Sequence, residues 1–221
     1  MWYKGCAPAF QAVEDQFESG HPLQRLIMIP IPILDKHYVF ERYDFSSTIT
    51  DKDNNDVCCI VKEIVDSGNY FTNSPKYQTK ENVFARKEPV WLKLRMSFLM
   101  SVFMYLGREV PVSNMMAWSF MTNLDGAEDR ETLWHNHWHP RNPNNKMISG
   151  IYYVHIPDDV ANLDTCGTEF APNGLENPDR FYVRPQAKSW IVYPSSLWHR
   201  PGVVQSSQYR FIVAADVEVT L

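Results

Sequence analysis

The run ISGIYYVHI, residues 148–156, is rich in β-branched and aromatic side chains and alternates in the manner of a strand. The same habit recurs on either side of it, in MMAWSFMT (115–122), FYVRP (181–185), SWIVYPS (189–195) and the long YRFIVAADVEV (209–219). Short strands separated by turn residues predict an antiparallel sandwich or barrel.

Upstream the period changes. EPVWLKLRMSFLMSVFMYLG (88–107) predicts a helix, with Pro89 in its first turn and Gly107 at its end. Leu92, Met96, Leu99 and Phe103 recur at helical spacing and predict its core-facing stripe. DKDNNDV (51–57) predicts a polar loop running into a helix, its acidic cluster suiting the helix's positive end, and VCCIVKEIVDSG predicts about three helical turns stopped by Gly68. PLQRLIMIPIPILDKHYVFE (23–42) predicts one or two short strands, which Pro30 and Pro32 confine to an edge or a boundary. The expected organisation is a single domain over 1–221, in which a mixed helical support region (1–110) backs a β core (111–221).

A net charge of −5 gives no support to a protein that wraps nucleic acid electrostatically. The four cysteines, Cys6, Cys58, Cys59 and Cys166, form no CxxC pair, and neighbouring Cys58 and Cys59 are poor partners for each other. They suit reduced thiols inside a cell. No secretory leader is visible in MWYKGCAPAFQAVEDQF, and the most apolar run, 91–107, carries Lys93 and Arg95 and is too short for a membrane span.

The chemical signal is WHNHWHP (134–140), where His135, His137 and His139 occupy alternate positions. Residues i and i+2 of a strand face one side, so any HxH pair can approach one metal. A third ligand must come from elsewhere, and His199 in SSLWHRPG follows one strong strand and precedes another. A barrel brings such distant strands together. Zinc, iron, manganese and nickel all accept a set of this kind, and the spacing does not choose among them.

Four motifs follow one another in order: HWHP (137–140), SGIYYV (149–154), YPSSLWH (193–199) and YRF (209–211). On these the chain resembles the iron(II)/2-oxoglutarate-dependent oxygenases of prolyl-hydroxylase type. More closely it resembles a small branch found in phages and bacteria, marked by HxHP and SGxYY. The resemblance spans about residues 115–219. It implies a double-stranded β-helix (a jelly roll, cupin-like) and a dioxygenase using Fe(II), 2-oxoglutarate and molecular oxygen. The implied reaction hydroxylates a carbon of a peptide residue, proline among them, or of a small metabolite. The implied location is the cytoplasm, that of a host cell if a phage encodes the chain.

By the same resemblance His137 takes the first histidine position, His139 the position usually held by a carboxylate, and His199 the distal histidine. Tyr153 matches the tyrosine that reaches the cosubstrate, and Arg210 the basic residue that grips its far carboxylate. A guanidinium fork suits that task. The departure from the family is His139 where an acid is usual. Glu169 in CGTEFAPNG could supply the acid, or His135 could replace one member of the pair. His135 could equally hydrogen-bond a ligand from outside. Trp134, Trp138 and Trp198 flank the candidate ligands, as pocket lining or as barrel packing. The helical first half is free to shape a substrate opening or a homo-oligomer contact. Two rival readings are a cupin-like metal enzyme that does not use 2-oxoglutarate and a non-catalytic ligand-binding β-domain.

Overall fold

In the computed structural model the described residues are 33–36, 40–71, 77–124, 134–137 and 146–220, all within one compact unit, Pro32–Leu221. Ten strands and two α-helices are defined there: β1 (Ile33–Lys36), β2 (Glu41–Asp44), α1 (Asp51–Asp66), β3 (Tyr77–Gln78), α2 (Pro89–Leu106), β4 (Val112–Thr122), β5 (Lys146–His155), β6 (Thr168–Ala171), β7 (Phe181–Val183), β8 (Ser189–Pro194), β9 (Trp198–Pro201) and β10 (Arg210–Val219).

The strands form a seven-stranded sheet in the order β1-β2-β8-β5-β10-β4-β3 and a three-stranded sheet in the order β7-β6-β9, with antiparallel pairing throughout. This is the jelly-roll, double-stranded β-helix architecture expected for the chain. Strands from before residue 110, β1, β2 and β3, extend both edges of the large sheet.

The pleat of β5 sorts its side chains into two layers. Ile151 and Tyr153 face inward, where they meet Ile191 and Tyr193 of β8, Ile212 of β10, and Phe170, Val183 and Leu197 from the small-sheet side in one buried cluster. Gly150 and Tyr152 face outward, under the helices. A Cβ at Gly150 would lie 2.5 Å from Phe98 Cε2 of α2 and 3.0 Å from Trp190, so glycine lets the helix approach the strand. Tyr152 donates to Asn54 Oδ1 of α1 at 2.9 Å, and Asn54 Nδ2 donates to the Val154 carbonyl at 2.7 Å. Trp190 Nε1 donates to Ser97 of α2 at 2.8 Å.

α1 begins earlier than expected: the run 51–57, expected as a polar loop, forms its first turns, because Thr50 and Asp53 make a reciprocal capping box that starts the helix at Asp51. Gly107 closes α2 where the sequence placed its end, in the left-handed conformation at φ 69°. The buried face of α2 differs from the predicted stripe. Trp91, Leu94, Phe98 and Val102 are buried, whereas of the four predicted positions only Leu99 is. The helix is apolar on most of its circumference, so several stripes fit its pattern and the sheet beneath selects one. No helix among the described residues is long and apolar enough to cross a membrane.

Candidate metal centre

His199 lies inside β9, which follows β8 and precedes β10 in the chain and pairs with β6 at the edge of the small sheet. Residues 134–137 run beside it. His135 N–H donates to the His199 carbonyl at 3.1 Å and His199 N–H donates back to the His135 carbonyl at 2.9 Å, a directly opposed antiparallel pair. Opposed residues share a face, and so does the residue two positions on. His137 therefore joins them, and its N–H reaches the Ser195 carbonyl at 2.8 Å. The rings of His135 and His199 are 4.3 Å apart, those of His137 and His199 5.1 Å, and those of His135 and His137 5.3 Å.

One nitrogen from each ring lies within 4.8 Å of the others. The three differ in exposure: His199 is buried, His137 half-buried and His135 exposed. His139, which the sequence placed in the ligand pair, lies outside the described residues, as does Trp138.

Hydrogen bonds set the tautomers of two of the rings. A carbonyl only accepts, so the 2.9 Å contact from His199 Nδ1 to the Leu197 carbonyl puts the proton on Nδ1 and the lone pair on Nε2. Nε2 then accepts from Tyr193 O–H at 3.1 Å. His137 Nδ1 donates to both carboxylate oxygens of Asp216, each at 2.8 Å, and again Nε2 keeps the lone pair. Neutral imidazoles presenting lone pairs suit iron, zinc and nickel alike, so these donors fit a transition metal.

A buried cation lies on β10. Arg210, on β10, is 1% exposed and crosses to the small-sheet side, where Nη1 donates to the carbonyls of Cys166 and Gly167. Its Nε is buried with no hydrogen-bond partner, and among the described residues no carboxylate pairs with it. Tyr153, buried next to it, hydrogen-bonds Thr168 Oγ1 at 2.7 Å. Burial pushes the Tyr153 hydroxyl above its ordinary range, with the Arg210 charge pulling in the opposite direction. Tyr193 is raised as well, first by burial and then by the Asp216 charge, so it stays a neutral donor.

The other candidates sit elsewhere. In the β6–β9 ladder Phe170 opposes His199 and Glu169 opposes Arg200, so Glu169 points away from the triad. It accepts from Arg200 Nε at 2.6 Å, with both side chains buried. Trp134 shares that outer face, its ring 4.5 Å from the Arg200 guanidinium and 5.1 Å from that of Arg180. Around His137 the aromatic neighbour is Trp118 of β4, at 5.6 Å. Asp216, Tyr193 and Trp118 were not singled out by the sequence. The signal for Asp216 was the pleat of β10, on which residues 210 and 216 have the same parity.

Solved structures share this arrangement of strands. SnoK, a non-heme α-ketoglutarate-dependent carbocyclase from nogalamycin biosynthesis, superposes with a TM-score of 0.60 at 8% identity, over 81% of this chain and 79% of its own. A prolyl-4-hydroxylase from Pseudomonas putida gives 0.54 at 10% identity, over 82% and 93%. HygX from Streptomyces hygroscopicus, solved with nickel and 2-oxoglutarate bound, gives 0.57 at 8% identity, over 82% and 83%.

The chain has the fold of the 2-oxoglutarate-dependent oxygenases. No protein-family model matches its sequence, and no curated protein does. At such low identity the oxygenase fold is what the likeness establishes.

Proposed function

We propose that the chain is an iron(II)- and 2-oxoglutarate-dependent dioxygenase that hydroxylates a carbon of a peptide residue or a small metabolite. The observation that carries this reading is the pairing of two features in one barrel. A three-histidine cluster is assembled at β9, and a buried guanidinium without a carboxylate partner among the described residues lies on β10. A buried cation is costly unless an anion joins it. A dicarboxylate cosubstrate supplies that anion and leaves its other end for the metal.

His135, His137 and His199 would hold the metal. When bound, iron with 2-oxoglutarate supplies the activation of oxygen. The chain's own residues bind, orient and exclude. Arg210 is the fork for the far carboxylate. Tyr153 and Thr168 provide hydroxyls beside it. Along β6, Thr168 lies two residues from Phe170, the partner of His199. That is ~7 Å along the strand, comparable to the reach of a five-carbon diacid. Phe170 and Tyr193 wall the space between, with ring centroids 5.0 Å apart. Metal ligation by His199 Nε2 would free the Tyr193 hydroxyl to donate to a ligand inside the barrel.

The test is anaerobic reconstitution with Fe(II) and 2-oxoglutarate, read by the metal-to-ligand absorption band. Wild type is expected to give the band. Arg210→Ala should weaken 2-oxoglutarate at least about tenfold, the worth of a charged hydrogen bond. A folded wild-type protein without the band would sink the proposal. A band unaffected by Arg210→Ala would reject the clamp.

A further inference from the structure

Among the described residues the candidate ligands are three neutral imidazoles, without the anionic oxygen of a two-histidine, one-carboxylate set. Yet a carboxylate is built into the centre from behind. Asp216 on β10 is 8% exposed and takes the Nδ1 proton of His137 through both oxygens at 2.8 Å. Ser149 on β5, fully buried, donates to Asp216 Oδ1 at 2.5 Å. The Ser149 hydroxyl also lies 2.8 Å from Ser195 Oγ and 3.3 Å from His137 Nδ1. β5 and β10 are adjacent in the middle of the large sheet, with Ser149 and Asp216 directly opposite each other. The carboxylate is thus anchored in the middle of the large sheet and aimed at the nitrogen of His137 remote from the cluster.

We infer that Asp216 is a positioning residue for the metal centre: it fixes His137 with Nε2 as the donor and supplies, one ring away, a negative charge that three imidazoles do not carry. Accepting from Nδ1–H makes the opposite nitrogen more basic and locks the ring's rotation. Ser149 holds the carboxylate in the plane this requires, and Ser195 holds Ser149. The inference rests on the reading of the triad as a metal site. A purely structural role would need only the hydrogen bond, and would be indifferent to what His137 Nε2 does.

Cobalt(II) added to the full chain separates the two roles. Affinity is read by chelator competition, and ligand geometry by the visible absorption of the bound ion. Asp216→Asn is expected to keep the apoprotein folded, to weaken cobalt 10- to 100-fold and to change the visible spectrum. Ser149→Ala, a gentler change to the same network, should weaken cobalt by a smaller factor in the same direction. In a His137→Ala background Asp216→Asn should have no further effect on cobalt affinity.

Wild-type affinity and spectrum in both Asp216→Asn and Ser149→Ala would overturn the inference while leaving the metal reading intact. An equal loss with and without His137 would also overturn it, because Asp216 would then act by another route. Wild type that fails to bind cobalt would overturn the metal reading and this inference together.

Discussion

Three histidines at alternate positions are equivalent to any argument from strand period, because each of 135, 137 and 139 shares parity with the others. His135 and His137 are placed by a cross-strand partner, and the pairing of residue 135 with residue 199 is a long-range register that local sequence does not encode. The same limit governs the acids. Glu169 was a candidate for an acid supplied from a neighbouring strand, yet the β6–β9 register gives it Arg200 and gives Phe170 His199. Glu169 and Arg200 are buried together at 2.6 Å. Removing one partner leaves the other charged and desolvated, so Glu169→Ala should destabilise the fold by about 3–5 kcal/mol. Cobalt affinity of the folded protein should stay within about twofold of wild type, since an unchanged ligand set means an unchanged binding free energy. Urea denaturation and cobalt titration of the same variant check both halves. Loss of cobalt binding in folded protein would make Glu169 a ligand after all.

At the scale of elements the sequence was more forthcoming. Strands with β-branched and aromatic runs were legible at β4, β5, β8 and β10, because burial on one or both faces imposes the pattern directly. β9 was not, since WHRP is short and carries three polar or ring-constrained residues whose partners lie far off in the chain. Both ends of α2 were legible, with Pro89 and Gly107 as local signals; the start of α1 was not, since its polar first turns read as a loop, and orientation was less legible still, because the sheet decides it. Gly150 marks the contact that fixes it. Gly150→Ala would press a methyl into the Phe98 ring and against Trp190, and neither ring has room to withdraw because Phe98 and Trp190 already lie 4.8 Å apart. Overpacking of this kind costs about 1–3 kcal/mol. The expected result is a lower urea midpoint with cobalt affinity preserved, because the strain falls on the outer face of β5 and the triad on the inner side. Wild-type stability in Gly150→Ala would show that α2 is not held at this distance.

For the molecule as a whole, the two layers bury hydroxyls along with apolar surface. Tyr152 is sealed between the large sheet and the helices, and Tyr153 and Tyr193 lie within the barrel. Burial is the largest influence on all three and raises each above the ordinary tyrosine value of 10.0. For Tyr153 the Arg210 charge works against that rise, and for Tyr193 the Asp216 charge adds to it. Above pH 10 the unfolded chain therefore releases these protons while the folded chain keeps them. The unfolded state binds fewer protons there, so stability falls as pH rises, and below pH 10 the contribution is fully present. Each phenol removes about 1.4 kcal/mol per pH unit once well above its unfolded value. Three together remove about 4 kcal/mol per unit, a large share of the roughly 5–15 kcal/mol that holds a domain folded. The urea midpoint should be nearly level from about pH 8 to 9.5 and drop steeply beyond 10, with phenolate absorption rising in step with unfolding. Tyr153→Phe should make the drop shallower by about one phenol's share, because the substituted ring has no proton for the unfolded chain to lose. A midpoint that stays level through about pH 11.5 would mean that these phenols ionise as readily folded as unfolded, and so are not sealed from water.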